Sequence, residues 1–84
     1  MEKIIFDFSK LRGRIKERYR NESVFSEVAK ISKPSLSAKL NNKTYFKPSE
    51  IVEISEILEI PDDEVKSYFF KQKVRFSERE MHAS

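Results

Sequence analysis

The residues best equipped to make directed polar contacts lie together in ISKPSLSAKLNNK, residues 31–43. Their hydroxyls, amides and ammonium groups are hydrogen-bond donors and acceptors, several of them on short stems. After Ile31, only Leu36 and Leu40 are large and apolar, and no acid occurs between Glu27 and Glu50. Such chemistry suits a polyanion, or the donor and acceptor edges of bases, better than it suits catalysis. A nucleophile–base pair has nothing to build on, because cysteine is absent and the single histidine, His82, stands near the C-terminus. One histidine without cysteine also argues against a transition-metal site. The sequence shows no Gly-rich loop that could cradle a phosphate. Glu50, Glu53, Glu56 and Glu59 recur at every third position, which is the solvated outer stripe of a helix rather than an acid–base pair. The expectation is a binding protein: not an enzyme, with no metal and no cofactor.

The spacing of apolar residues supplies helices to position these groups. Eighty-four residues make one domain, taken as 1–76, with 77–84 as a disordered tail. In the first helix Ser9 is the N-cap and Leu11, Ile15 and Tyr19 fall at i, i+4 and i+8. Phe8, just ahead of the cap, is placed to close a hydrophobic staple. A second helix follows the N-cap Asn21, with Phe25, Val28 and Ala29 as its buried stripe and the small Ser26 allowing a close crossing. Ser32 caps a third helix running to about Leu40 or Asn41. Pro34 fits its first turn, where a missing N–H costs nothing, and Asn42 and Lys43 end it. Pro48 opens a fourth helix with Ile51, Ile54 and Leu58 inward and Val52 and Ser55 as further inward candidates. Asp62 or Asp63 caps a short fifth helix whose contacts are Val65, Tyr68 and Phe69. Ile4, Phe6 and Phe8 alternate, as do Val74 and Phe76 among charges, so the two ends could pair as short strands. The fold class is all-α, a bundle of about five helices.

Charge divides the chain. Residues 10–47 carry eleven Lys and Arg against three acids, whereas 48–70 carry seven acids against Lys66. A basic first half joined to an acidic second half suggests one side for a polyanion and another that faces elsewhere. No apolar run approaches the length of a membrane span, and the polar N-terminus does not read as a signal peptide. A cytoplasmic protein, nucleoid-associated when bound to DNA, is expected.

Helices two and three, joined by a short turn, match the helix-turn-helix plan. On a helical wheel Leu36 and Leu40 point one way, and Pro34, Ala38 and Asn41 the opposite way. Ser35 and Ser37 flank them, with Lys33 and Lys39 at the edges. That slender face can sit deep in a major groove about 12 Å wide, where base edges differ in donors and acceptors.

The stretch ISKPSLSAKLNNKTYFKPSEIVEISEILEI resembles Cro-type and lambda-repressor-like helix-turn-helix regulators of temperate bacteriophages, and the resemblance covers residue 9 to about residue 60. It implies that helix three enters the major groove of double-stranded DNA, with Ser32, Lys33, Pro34, Ser37, Ala38 and Asn41 near base edges. Asn21 and Glu22, with Asn42, Lys43, Thr44 and Tyr45, would hold the DNA backbone, and Lys39 would join them from the edge of the helix. Asn41 is open to a second reading, as a plain helix terminator. The sequence departs from the family at three points: Lys30 and Asn42 stand where glycine is common, which implies left-handed backbone at both. Pro34 and Ala38 stand where long polar readers are common, leaving specificity to Lys33, Ser37, Asn41 and DNA shape.

The expected function is that of a sequence-specific transcriptional regulator of phage or prophage origin, a Cro-like repressor bound to operator half-sites. The expected homodimer would use Tyr68, Phe70, Val74 and Phe76. The competing expectation is an antirepressor or modulator that keeps this fold but binds another repressor protein, its acidic fourth helix meeting a basic surface.

Overall fold

Apolar residues one helical turn apart pull five helices onto one core in the computed structural model, which describes residues 4–73. The helices are α1 (Ser9–Tyr19), α2 (Glu22–Ala29), α3 (Lys33–Leu40), α4 (Pro48–Ile57) and α5 (Val65–Phe69), with a 3-10 turn at Asp62–Glu64 before α5. Leu11, Ile15, Phe25, Leu36, Ile54, Leu58 and Phe69 are almost completely buried. Each such side chain contributes roughly 1.5–3 kcal/mol of transfer free energy, so this cluster dominates the stability of a small domain. All-α is the observed class.

The helix starts obey local chemistry, with two departures from the expected caps. Asn21 accepts from Val24 N at 2.9 Å and Ser32 from Ser35 N at 3.3 Å, as N-caps do. Pro34 and Pro48 both fall in first turns. At α1 the expected cap, Ser9, is already the first helical residue. Asp7 does the capping work instead: its Oδ1 accepts from Ser9 N at 2.9 Å and Ser9 Oγ at 2.7 Å. The Ser9 hydroxyl and backbone N–H, helped by Lys71 and Lys73, hold the Asp7 carboxyl below the usual carboxylate value. At the fifth helix neither Asp62 nor Asp63 caps; Pro61 precedes a 3-10 turn that leads into α5 without a side-chain cap.

Left-handed backbone occurs at both predicted non-glycine positions, Lys30 (φ 59°) and Asn42 (φ 63°), and also at Arg20 and Glu59. The inward face of α4 carries Ile54 and Ser55, with Ile51 and Ile57 partly buried against the core and Leu58 buried just past the helix end, whereas Val52, expected inward as a further candidate, is 58% exposed. Val28, expected in the buried stripe of α2, is also exposed. The ends of the described chain do meet, but through a single antiparallel bridge, Phe6 with Gln72, rather than a pair of strands. Asp7 N donates to Lys71 O at 2.7 Å and Lys73 N to Ile5 O at 2.8 Å. Val74, Phe76 and the tail 77–84 lie outside the described residues.

Candidate functional site

The α2–α3 pair is joined by Lys30, Ile31 and Ser32, and the left-handed Lys30 makes the tight reversal possible. Ile31 N closes the turn on Ser26 O at 3.1 Å. Ser26 is buried at the end of this hydrogen bond, consistent with a close approach of the two helices. With Leu36 and Leu40 in the core, α3 must turn its other side outward. Ser32, Lys33, Pro34 and Asn41 are exposed there, while Ser37 and Ala38 are half-buried. Lys43, Thr44 and Tyr45 follow in an exposed loop, with the Tyr45 ring set against Phe6.

Several others point elsewhere. Lys39, expected at the DNA backbone, is only 7% exposed. Its Nζ lies 3.6 Å from Glu50 and 3.2 Å from Ser35 Oγ, tying α3 to the start of α4. Glu50 in turn accepts from the Lys47 N–H at 2.8 Å, so one carboxylate serves the helix start and the buried ammonium together. Asn42, also expected at the DNA backbone, clasps the N-terminal segment. It accepts from Phe6 N at 2.9 Å and donates to Phe6 O at 3.0 Å. Glu22 forms an ion pair with Arg12 at 2.6 Å, which removes most of the repulsion that an unpaired acid beside α3 would present to an anion.

Sequence reasoning missed the arginines of α1 as structural ties. Arg12 bridges three places: Glu22 at the start of α2, and Leu40 O (3.2 Å) and Asn41 Oδ1 (3.0 Å) at the end of α3. Asn41 also donates to Ser37 Oγ at 3.2 Å. Arg14 does the same for α4, donating to Leu58 O at 3.0 Å and Glu59 O at 3.2 Å. Arg18 pairs with Glu59 at 2.8 Å. The Arg12 and Arg14 guanidiniums thus dock where helix ends leave carbonyls without partners and the macrodipole is negative. No periodicity in the sequence announces this, because the acceptors are backbone groups about thirty to forty-five residues away.

Of the residues expected at a dimer contact, Tyr68 is 7% exposed, and its ring takes the Lys10 ammonium at 4.6 Å. Phe70 is 44% exposed. It meets Phe6 edge to face at a centroid distance of 6.0 Å. No helix among the described residues is long and apolar enough to cross a membrane.

No curated protein matches this chain. Among solved structures, the chain is similar to the solution structure of the modulator of repression (MOR) of the temperate bacteriophage TP901-1 from Lactococcus lactis. Identity is 32% and the TM-score 0.70, over 77% of this chain and 88% of that one. The sequence profile of a family described as "Protein of unknown function (DUF739)" matches residues 4–72. With nearly all of the described fold inside that match, the chain belongs to the DUF739 family.

Proposed function

We propose that this protein is a bacteriophage regulator that acts on repression by binding another regulatory protein, a repressor, without catalysing a reaction. The observation that carries the reading is the direction of its cations. Arg12, Arg14 and Lys39, which a DNA-binding reading would welcome at the surface, are tied to carbonyls and carboxylates within the fold. Lys33 is the exposed cation of α3, and the outer face of that helix lacks long polar readers. The similarity to a phage modulator of repression supports the same reading.

A second reading has its own support: α3 meets duplex DNA directly as a helix-turn-helix regulator of Cro type. Ser32, Lys33, Pro34 and Asn41 are exposed together, and the nearby Glu22 is neutralised by Arg12. Under this reading Phe70 is the exposed aromatic available for a homodimer bound to two half-sites.

One experiment separates the two. The purified chain is incubated with operator fragments from the phage genome, alone and with the repressor of the same phage, across a salt series. The expected result is no shift by the chain alone and a change in the repressor's own shift when both are present. A shift by the chain alone that weakens steeply with salt would instead report phosphate contacts and overturn the first reading.

A further inference from the structure

Outside the α2–α3 face, the surface around Phe6 carries an apolar patch in a basic setting. Tyr45, 58% exposed, and Phe70, 44% exposed, flank the ring of Phe6. The centroid distances are 6.1 and 6.0 Å, and both contacts are edge to face. Beneath them lies a cavity of about 30 Å³ lined by Phe8, Phe46, Ile51 and Phe69 together with the three surface rings. Lys43 and Lys47 bracket Tyr45 and Phe46 along the loop, and Lys71 and Lys73 follow Phe70; all four are exposed. Three carboxylates approach this rim: Asp7 lies 3.9 Å from Lys71, Glu50 is engaged by the Lys47 N–H and Lys39, and Asp63 lines a surface pocket with Phe70 and Lys71, where Lys66 stands beside it.

The combination is selective. Aromatic residues clustered at the centre of a patch are what energetically dominant interface positions are made of, and a rim with an excess of exposed lysines favours an acidic partner. The same rim repels a second copy placed symmetrically on this face. The edge-to-face contacts order the rings relative to one another but do not form a flat, parallel stacking platform of the kind single-stranded nucleic acid uses. From this we infer that the Phe6–Tyr45–Phe70 surface docks an acidic segment of a partner protein. An apolar side chain of that segment lies between Tyr45 and Phe70, and its carboxylates meet Lys43, Lys47, Lys71 and Lys73. The inference rests on the reading that the chain binds another protein, and it names the surface and the chemical character of what is bound. The bridge between Phe6 and Gln72, and the Asn42 clasp on Phe6, hold the patch together from three distant parts of the chain.

The test uses the full chain and a pair of synthetic peptides identical in their Phe and Leu positions, with Glu at every other position in one and Lys in the other. In NMR titrations the acidic peptide is expected to move the amide signals of Phe6, Tyr45, Phe70 and their neighbours, and the basic peptide to leave them unchanged. Phe70→Ser should weaken the acidic peptide by roughly tenfold. Lys71→Glu, which leaves every aromatic residue in place, should weaken it severalfold, and more at low salt than at high salt. Equal binding of both peptides, no binding of either, or signal changes confined to α3 would overturn the inference. So would a homodimer seen by sedimentation that Phe70→Ser abolishes. The same two variants are then mixed with the phage repressor. If the unaltered chain binds repressor and both variants bind it equally well, the surface is wrong while the protein-binding reading stands. If the unaltered chain fails to bind repressor, that reading falls and the peptide titration still decides the surface.

Discussion

Helix α1 and the segment from α3 through the following loop are both rich in cations, yet they use them in opposite ways. On α1, Arg12 and Arg14 turn toward the chain and satisfy carbonyls at the ends of α3 and α4. From α3 onward, Lys33, Lys43 and Lys47 stay in solvent. Lys39 is the exception, an α3 residue buried against Glu50. The difference follows side-chain chemistry. A guanidinium presents a planar fork of donors that can bridge several acceptors at once, whereas an ammonium is strongly hydrated and stays in water unless a carboxylate waits for it. A count of positive charge therefore says little about how much of it a partner can feel.

Substitutions can break this contrast, beginning with the inward set. Lys39→Ala removes a buried stem and leaves Glu50 half-buried without its cation, a loss expected to cost about 2–3 kcal/mol. Thermal unfolding followed by circular dichroism should show a midpoint lower by roughly 10–20 °C. An unchanged midpoint would mean that the ammonium spends its time in solvent after all. Arg12→Ala loses contacts with Glu22, Leu40 O and Asn41 at once. Because that site is partly exposed, the expected cost is smaller, about 1–2 kcal/mol, read by urea denaturation.

Asn41→Ala sharpens the boundary between the two sets. Read from sequence, Asn41 is an outward contact or a helix terminator, and its loss should leave stability unchanged. In the fold it accepts from Arg12 and donates to Ser37, so a loss of roughly 0.5–1 kcal/mol is expected. Lys33→Ala, on the outward side, should fall within about 0.5 kcal/mol of the unaltered protein. A larger loss would place Lys33 among the structural cations. A last effect, at Asp7, is read by its dependence on pH. Its pKa is lowered in the folded chain by Ser9 and the nearby lysines, so its stabilising contribution is present above the ordinary carboxylate value and disappears as pH falls through the lowered one. Asp7→Asn should therefore be less stable than the unaltered protein near neutrality, with the gap closing in strong acid. A gap that stays constant down to low pH would show that geometry rather than charge holds the α1 start.

Much of the scaffold was legible in the residues themselves. Helix starts at Asn21, Ser32 and Pro48, the left-handed Lys30 and Asn42, and the anchors Leu36, Leu40, Ile54 and Phe69 all follow from local backbone preferences and one-turn spacing. Errors arose where a side chain had two acceptable places. Val52 and Val28 look like core residues by composition but fall on the flanks of helices whose inward arcs are already filled. Ser9 is a good cap residue, yet the helix begins one residue sooner, and the charged acceptor Asp7 takes Ser9's own N–H instead.

The sequence alone determined that this chain forms a small set of helices and that two short ones adjoin across a tight turn. These properties depend on spacing, capping and residue type, which act over a few residues. Tertiary structure decided which polar groups remain available. It folded Lys39 onto Glu50, Arg12 onto the end of α3 and Asn42 onto Phe6, and it brought Phe6, Tyr45 and Phe70 to one surface. Those pairings span from eleven to sixty-four residues of chain. They form because buried acceptors and apolar rings must find partners wherever the packed core places them, and no local pattern encodes that position.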